Sequence, residues 1–153
     1  GEMTMSNLTI CDMTQEFAEE LEVWLDEDCL ITWEDMEDPD MMGKVAVIDE
    51  EMVGFIIYSG IARGGKFIHH IFTMPSFRRL GIGKKLIHSL KPGRVTTDVT
   101  DKDYRAYNFF SRSGFVTYSS FNLSEDLVWH QMELKESKDS VELHNRLKWV
   151  LPQ

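Results

Sequence analysis

The run Arg78-Arg79-Leu80-Gly81-Ile82-Gly83-Lys84-Lys85 sets two glycines among four basic side chains. Glycines at such positions let the main chain curl around an anion. The first N–H groups of a following helix then point at it, and the helix dipole adds favourable potential. The four cations in an otherwise acidic chain suit a polyphosphate better than a single structural anion. The spacing is not the Gly-x-x-x-x-Gly-Lys-Ser/Thr of nucleoside-triphosphate loops. Nor is it the full Gly-x-Gly-x-x-Gly of dinucleotide folds, since Leu86 stands where the third glycine would be.

Proton-transfer chemistry has few other candidates. His69 and His70 lie in an apolar stretch that reads as a strand, where alternation sends one to each face. Packing within the sheet is the competing reading for each. Asp98 stands near the end of a later strand, as a general base or as a loop or helix-capping carboxylate. Tyr104 and Tyr107 fall at helical spacing and serve either packing or chemistry. Cys11 and Cys29 have no second Cys pair and no His at ligand spacing, so neither a zinc site nor a disulfide framework is expected, and no metal.

The elements that must position these residues follow from periodicity. Asn7–Cys11 reads as a strand. Thr14 then caps a helix from Gln15 to Leu25, with Phe17, Leu21, Trp24 and Leu25 on one stripe. Lys44–Asp49 and Val53–Ser59 read as a hairpin turned at Glu50-Glu51-Met52, and Phe67–Met74 as the third strand of a meander. Pro75 ends that strand. The glycine loop opens a helix carrying Ile82, Leu86, Ile87 and Leu90, closed by Pro92 and Gly93. Arg94–Val99 is the next strand. Thr100 with Asp103 starts a helix that Gly114 ends, and Phe115–Leu123 and Val128–Leu134 form a strand pair joined by Ser124–Leu127.

The length, 153 residues, fits one domain, and 42% hydrophobic content is enough to build a core. A net charge of −10 disfavours a nucleic-acid footprint and favours a cationic partner. Eight acidic residues, and no basic one, fall between Asp26 and Asp40, around Trp33. That segment reads as a mouth that attracts an amine or as a solvated surface. No apolar run matches a membrane helix and the start lacks a signal-peptide pattern, so the cytoplasm is expected, with Gly1 and Glu2 read as residues left by expression. The organisation expected is a domain over 3–136 and a helical extension over 137–153. That extension, with Val141, Leu143, Leu147 and Leu151, packs on its own sheet or on a second copy in a homodimer.

Arg78-Arg79-Leu80-Gly81-Ile82-Gly83 resembles the Arg/Gln-x-x-Gly-x-Gly/Ala signature of the GNAT acetyltransferase superfamily, and Phe72-Thr73-Met74-Pro75 resembles the strand end that carries it. About thirty residues on, the stretch from Ala106 to Phe115 is similar to the superfamily's second motif, a helix ending in Gly-Phe. The resemblance spans roughly residues 7 to 134. It implies an α+β (α/β) GNAT fold, whose central mixed, mostly antiparallel sheet has six to seven strands flanked by helices, here with an extra C-terminal helix. It also implies acetyl-CoA as co-substrate. Main-chain groups of Phe72, Thr73 and Met74 would meet the pantetheine arm, and the loop Arg78, Arg79, Leu80, Gly81, Ile82, Gly83, Lys84 and Lys85 would hold the pyrophosphate. Asn108 and Phe110, on the second-motif helix, would be further donor contacts.

The activity implied is N-acetyl transfer by direct attack of a neutral amine on the thioester, with Asp98, His70 or His69 as base. The sequence departs from the pattern at two places. Phe110 stands where many members keep a tyrosine acid, which leaves Tyr107 one turn earlier or solvent to protonate the thiolate. Asp103 stands where an asparagine is usual. The competing expectation is a GNAT-fold module that binds acyl-CoA or a protein without turnover.

Overall fold

The computed structural model describes residues 7–24 and 39–135. Residues 25–38, which take in most of the acidic segment Asp26–Asp40, and residues 136–153, with the extension over 137–153 and its expected helix, lie outside the described residues. By its internal contacts the chain divides into two compact units, Gly1–Asp98 and Val99–Gln153. The described residues hold seven strands and three α-helices; β1–β2, β2–β3, β3–β4 and β6–β7 pair antiparallel, and β4–β5 parallel.

The first unit is a meander. It runs β1 (Thr9–Asp12), α1 (Gln15–Trp24), β2 (Met41–Ile48), β3 (Glu51–Ile61), β4 (Gly65–Thr73) and α2 (Ile82–His88), then enters β5 (Val95–Thr100). Thr14 caps α1, its Oγ1 accepting from the Phe17 N–H at 3.4 Å. β2 and β3 turn through Asp49-Glu50, one residue earlier than the sequence suggested, with both residues at positive φ (50° and 67°). Ile48 opposite Glu51 and Val47 opposite Met52 fix that register, because it keeps Met52 in the core. β3 is buried without a break from Met52 to Tyr58. Continuous burial, not alternation, marks a strand covered on both faces. Leu21, Val45, Met52, Phe55 and Ile57 form a core cluster with Phe17 against it, and α2 packs on β2, β3 and β4 through its buried Ile82, Leu86 and Ile87.

Gly54 permits that close approach. A Cβ there would stand 2.9 Å from the Phe72 carbonyl oxygen and 3.4 Å from Ile82 Cγ2. No sequence pattern singles this glycine out, because its neighbours make an ordinary strand.

The second unit carries the end of β5, α3 (Tyr104–Arg112), β6 (Phe115–Ser124) and β7 (Leu127–Leu134). The cap of α3 is Asp103, which accepts from the Ala106 N–H at 3.2 Å, and not Thr100 as the sequence suggested. Gly114 (φ 100°) ends the helix as expected. Asp101 ties this turn to β7: its N–H donates to the Val128 carbonyl at 3.0 Å, and its Oδ1 accepts from the Val128 N–H at 3.1 Å.

Gly54→Val should lower stability by about 1–3 kcal/mol by overpacking. Gly60→Val, where the nearest atom to a new Cβ is Met42 Cε at 4.0 Å, should change it far less. Urea unfolding of both variants checks the contrast.

Candidate active site

Two features of the first unit shape the site, and the first is a fork in the sheet. β4 and β5 run parallel through only three pairs, Lys66 with Val95, Phe67 with Thr96 and Ile68 with Thr97. The Thr97 hydroxyl closes the last of these by donating to the Ile68 carbonyl at 3.1 Å. Past that point β4 continues to pair with β3 as far as Thr73, so its other edge is open. The cause lies in the register with β3, where His70 faces Ile57 and Ile68 faces Tyr58, leaving His69 as an extra residue. A bulge of this kind bends its strand away from a neighbour. It also interrupts the simple alternation expected of His69 and His70.

The second feature is the turn that follows. Met74 stays tied to β3, its N–H donating to the Val53 carbonyl at 2.9 Å, and Pro75–Phe77 form one short 3-10 turn. Arg79 (φ 68°) and Gly81 (φ 82°) are both left-handed, which swings the chain into α2. From Arg79 to Lys84 no N–H donates a backbone hydrogen bond among the described residues, and the first helical bond is Lys85 N–H to the Gly81 carbonyl at 3.1 Å. A row of unpaired N–H groups on a left-handed turn at a helix start is an anion nest.

The loop cations divide in role. Arg78 turns back on the strand end: its Nε donates to the Thr73 carbonyl at 3.0 Å and its guanidinium lies 5.5 Å over the Phe72 ring. Arg78 thus holds the strand end as well as adding charge beside the loop. Lys84 and Lys85 are exposed on α2. His88, at the far end of α2, has its pKa pushed below the usual imidazole value by partial burial and then by Lys91 and Lys84.

A profile of the family described as acetyltransferase (GNAT) domain matches residues 12–136. The chain belongs to the GNAT acetyltransferase family. Solved structures agree on the fold. Arabidopsis thaliana Naa50 in complex with the bisubstrate analogue CoA-Ac-MVNAL is similar over 85% of this chain and 99% of that one, at 14% identity and a TM-score of 0.65. The Escherichia coli ribosomal-protein-S18-alanine N-acetyltransferase is similar over 86% and 97%, at 13% identity and a TM-score of 0.64. A spermidine N-acetyltransferase SpeG chimera from Vibrio cholerae and hSSAT is similar over 84% and 95%, at 12% identity and a TM-score of 0.63. No curated protein sequence matches the chain.

Within this GNAT domain the remaining candidates are placed as follows. Asp98 is half-buried and is the first β5 residue past the last β4 pair, so it stands at the fork, with no hydrogen-bond or ion-pair partner among the described residues. His69 shares a 2.8 Å hydrogen bond with Ser59 through Nε2 and sets its ring edge-on to Phe67. His70, opposite Ile57, is half-buried. Phe72 packs its ring on Phe55.

In the second unit, Phe110 is buried, 4% exposed, between Phe109 and Phe115, so its ring is core. Tyr107 and Asn108 line a cleft of about 500 Å³ with Asp101, Tyr104 and His130. His130 was not singled out by the sequence, having no motif around it. Ser120 Oγ holds its Nδ1 at 2.8 Å, and its ring lies 5.2 Å from that of Tyr107. Among the described residues no group of three or more His, Cys, Asp or Glu could hold a metal, and no helix is long and apolar enough to cross a membrane.

The depressed pKa of His88 means the folded state binds its proton less tightly than the unfolded chain. His88 therefore opposes folding as pH falls through the ordinary imidazole range and costs nothing above it. Lys91→Gln and Lys84→Gln should each raise its titration midpoint, Lys91→Gln the more. An NMR titration of the His88 ring reads both.

Proposed function

We propose that this GNAT domain is an acetyl-CoA-dependent N-acetyltransferase that moves the acetyl group directly to a primary amine. The observation that carries the reading is the row of unpaired N–H groups from Arg79 to Lys84, set beside the open edge of β4. A polyphosphate such as the pyrophosphate of coenzyme A satisfies such a row, with Lys84 and Lys85 adding charge. Past Ile68 the side of β4 that carries no rung to β5 presents the main-chain groups of Ile71 and the Thr73 N–H to an amide-bearing arm, since the Met74 N–H, which the resemblance also offered, is bonded to Val53. The S18-alanine and spermidine enzymes named above are called N-acetyltransferases, which supports an amine as acceptor.

The chemistry follows from this placement. A neutral amine attacks the thioester carbonyl carbon, the C–S bond breaks as the C–N bond forms, and the thiolate leaves. An N–H on the open edge of β4 supports the negative charge that develops on the carbonyl oxygen. Asp98 is the base we favour for the amine proton, because it stands at the fork without a competing partner, whereas His69 is committed to Ser59. Phe110 supplies no acid. The thiolate is protonated from solvent, and a thiol with a pKa of about 8.5 needs little help near neutral pH. Domain limits of 3–136 and 137–153 and a cytoplasmic location belong to the same reading, with the extension packing on its own sheet or on a second copy.

Calorimetry with acetyl-CoA should show micromolar binding that Gly81→Val weakens at least tenfold, since a β-branched residue is strained at φ 82°. Absence of binding by the unaltered protein refutes the donor site. Binding without thiol release across an amine panel would instead support the acyl-CoA-binding module.

Once an acceptor is found, Asp98→Asn should lower kcat by about two to four orders of magnitude. It should also remove the acidic limb of the pH–rate profile. An unchanged profile in Asp98→Asn with a loss in His70→Gln would move the base to His70.

A further inference from the structure

The cleft on the second unit, between the start of α3 and β7, has a composition that the donor chemistry leaves unused. Its lining is Asp101, Tyr104, Tyr107, Asn108 and His130, with a volume of about 500 Å³, enough for a small organic molecule. We propose that this cleft binds an organic cation, an ammonium or guanidinium group, between the tyrosine faces and the Asp101 carboxylate.

Tyr104 is 72% exposed, so its ring adds little to the core, yet it stands one helical turn from Tyr107 and on the same side of α3. Tyr107 is braced by the imidazole of His130, which Ser120 fixes in turn through a 2.8 Å hydrogen bond. The cleft thus pairs a preset ring with a free one. Aromatic faces attract cations, and more strongly where water is partly excluded.

Asp101 supplies the charge. Its Oδ1 is taken by the Val128 N–H, and its other oxygen has no partner among the described residues. A neutral ring seated in the cleft would strip water from that oxygen without replacing its hydrogen bonds, whereas an ammonium or guanidinium replaces them. The positive end of α3 is answered by Asp103, whose carboxylate caps it. Lys102 and Arg105 are exposed and do not line the cleft. The net charge of −10 also raises the local concentration of cations.

A quaternary ammonium has no N–H to acylate, so its binding reads the cleft without acetyl transfer. The probe is choline, titrated into the full chain without acetyl-CoA and followed by chemical-shift changes. Its neutral isostere 3,3-dimethylbutan-1-ol and inorganic phosphate serve as controls. Saturable millimolar binding that perturbs the Tyr104, Tyr107 and His130 rings is expected, with the isostere at least tenfold weaker and phosphate not displacing choline.

Asp101→Asn keeps an acceptor for the Val128 N–H and removes only the charge, and Tyr104→Leu keeps bulk at an exposed position. Each should weaken choline at least fivefold with unfolding midpoints unchanged. A second pair of probes, butylammonium and a short lysine-containing peptide, separates a free amine from a protein side chain as the source of the cation. Equal binding of the isostere, displacement by phosphate, or full affinity in Asp101→Asn overturns the proposal. Loss of acetyl-CoA binding in a separate titration would leave it standing.

Discussion

The parting of β4 from β5 after Ile68 and Thr97 is the constraint on which the site depends. Two parallel strands normally exchange hydrogen bonds along their shared length, and a backbone edge left open inside a sheet must find other partners. Here three rungs hold the strands together and a bulge at His69 then bends β4 away, with the Thr97 hydroxyl sealing the last rung. The open edge is therefore built by register and not by any reactive side chain. It stays ordered because β3 pairs with the other side of β4 through to Thr73 and is itself buried on both faces.

Support for that edge comes from two unlike contacts. Beneath it, Gly54 removes a side chain so that Ile82 and Leu86 bring α2 close to the sheet, which places the start of the helix beside the strand end. At its tip, Arg78 spends its guanidinium on the Thr73 carbonyl and the Phe72 ring. One of the loop's charges thus also serves the strand end. The anion nest is left to N–H groups, whose positions are set by two left-handed residues, one of them an arginine.

Much of this was legible in the sequence, and what was legible was of one physical kind. Elements marked by periodicity or by a stop residue were found: α2 behind its glycine loop, α3 up to Gly114, and the meander of β2 to β4. The GNAT resemblance rested on backbone-determining residues, Gly81 and Gly114 among them. What escaped was relational. The bulge at His69 depends on the register with β3, the turn at Asp49-Glu50 on keeping Met52 in the core, and the role of Gly54 on a helix nearly thirty residues away. The cleft around Tyr107 and His130 joins a helix to a strand more than twenty residues later, with no motif at either end.

A division of labour between main chain and side chains accounts for both outcomes. If the donor is gripped chiefly by N–H and carbonyl groups, the sequence is constrained only where the backbone must take unusual angles or come close to another element. Side chains along the loop and helix are then free to be used elsewhere. Arg78 becomes a clamp and Phe110 a core ring, and neither use alters the backbone that the motif specifies. The same freedom explains how folds with 12–14% identity superimpose over most of their length. Recognition by side chains is then left to positions that the motifs do not fix. In the second unit those are the tyrosines, the histidine and the carboxylate of the α3–β7 cleft, whose types are dictated neither by burial nor by backbone angle.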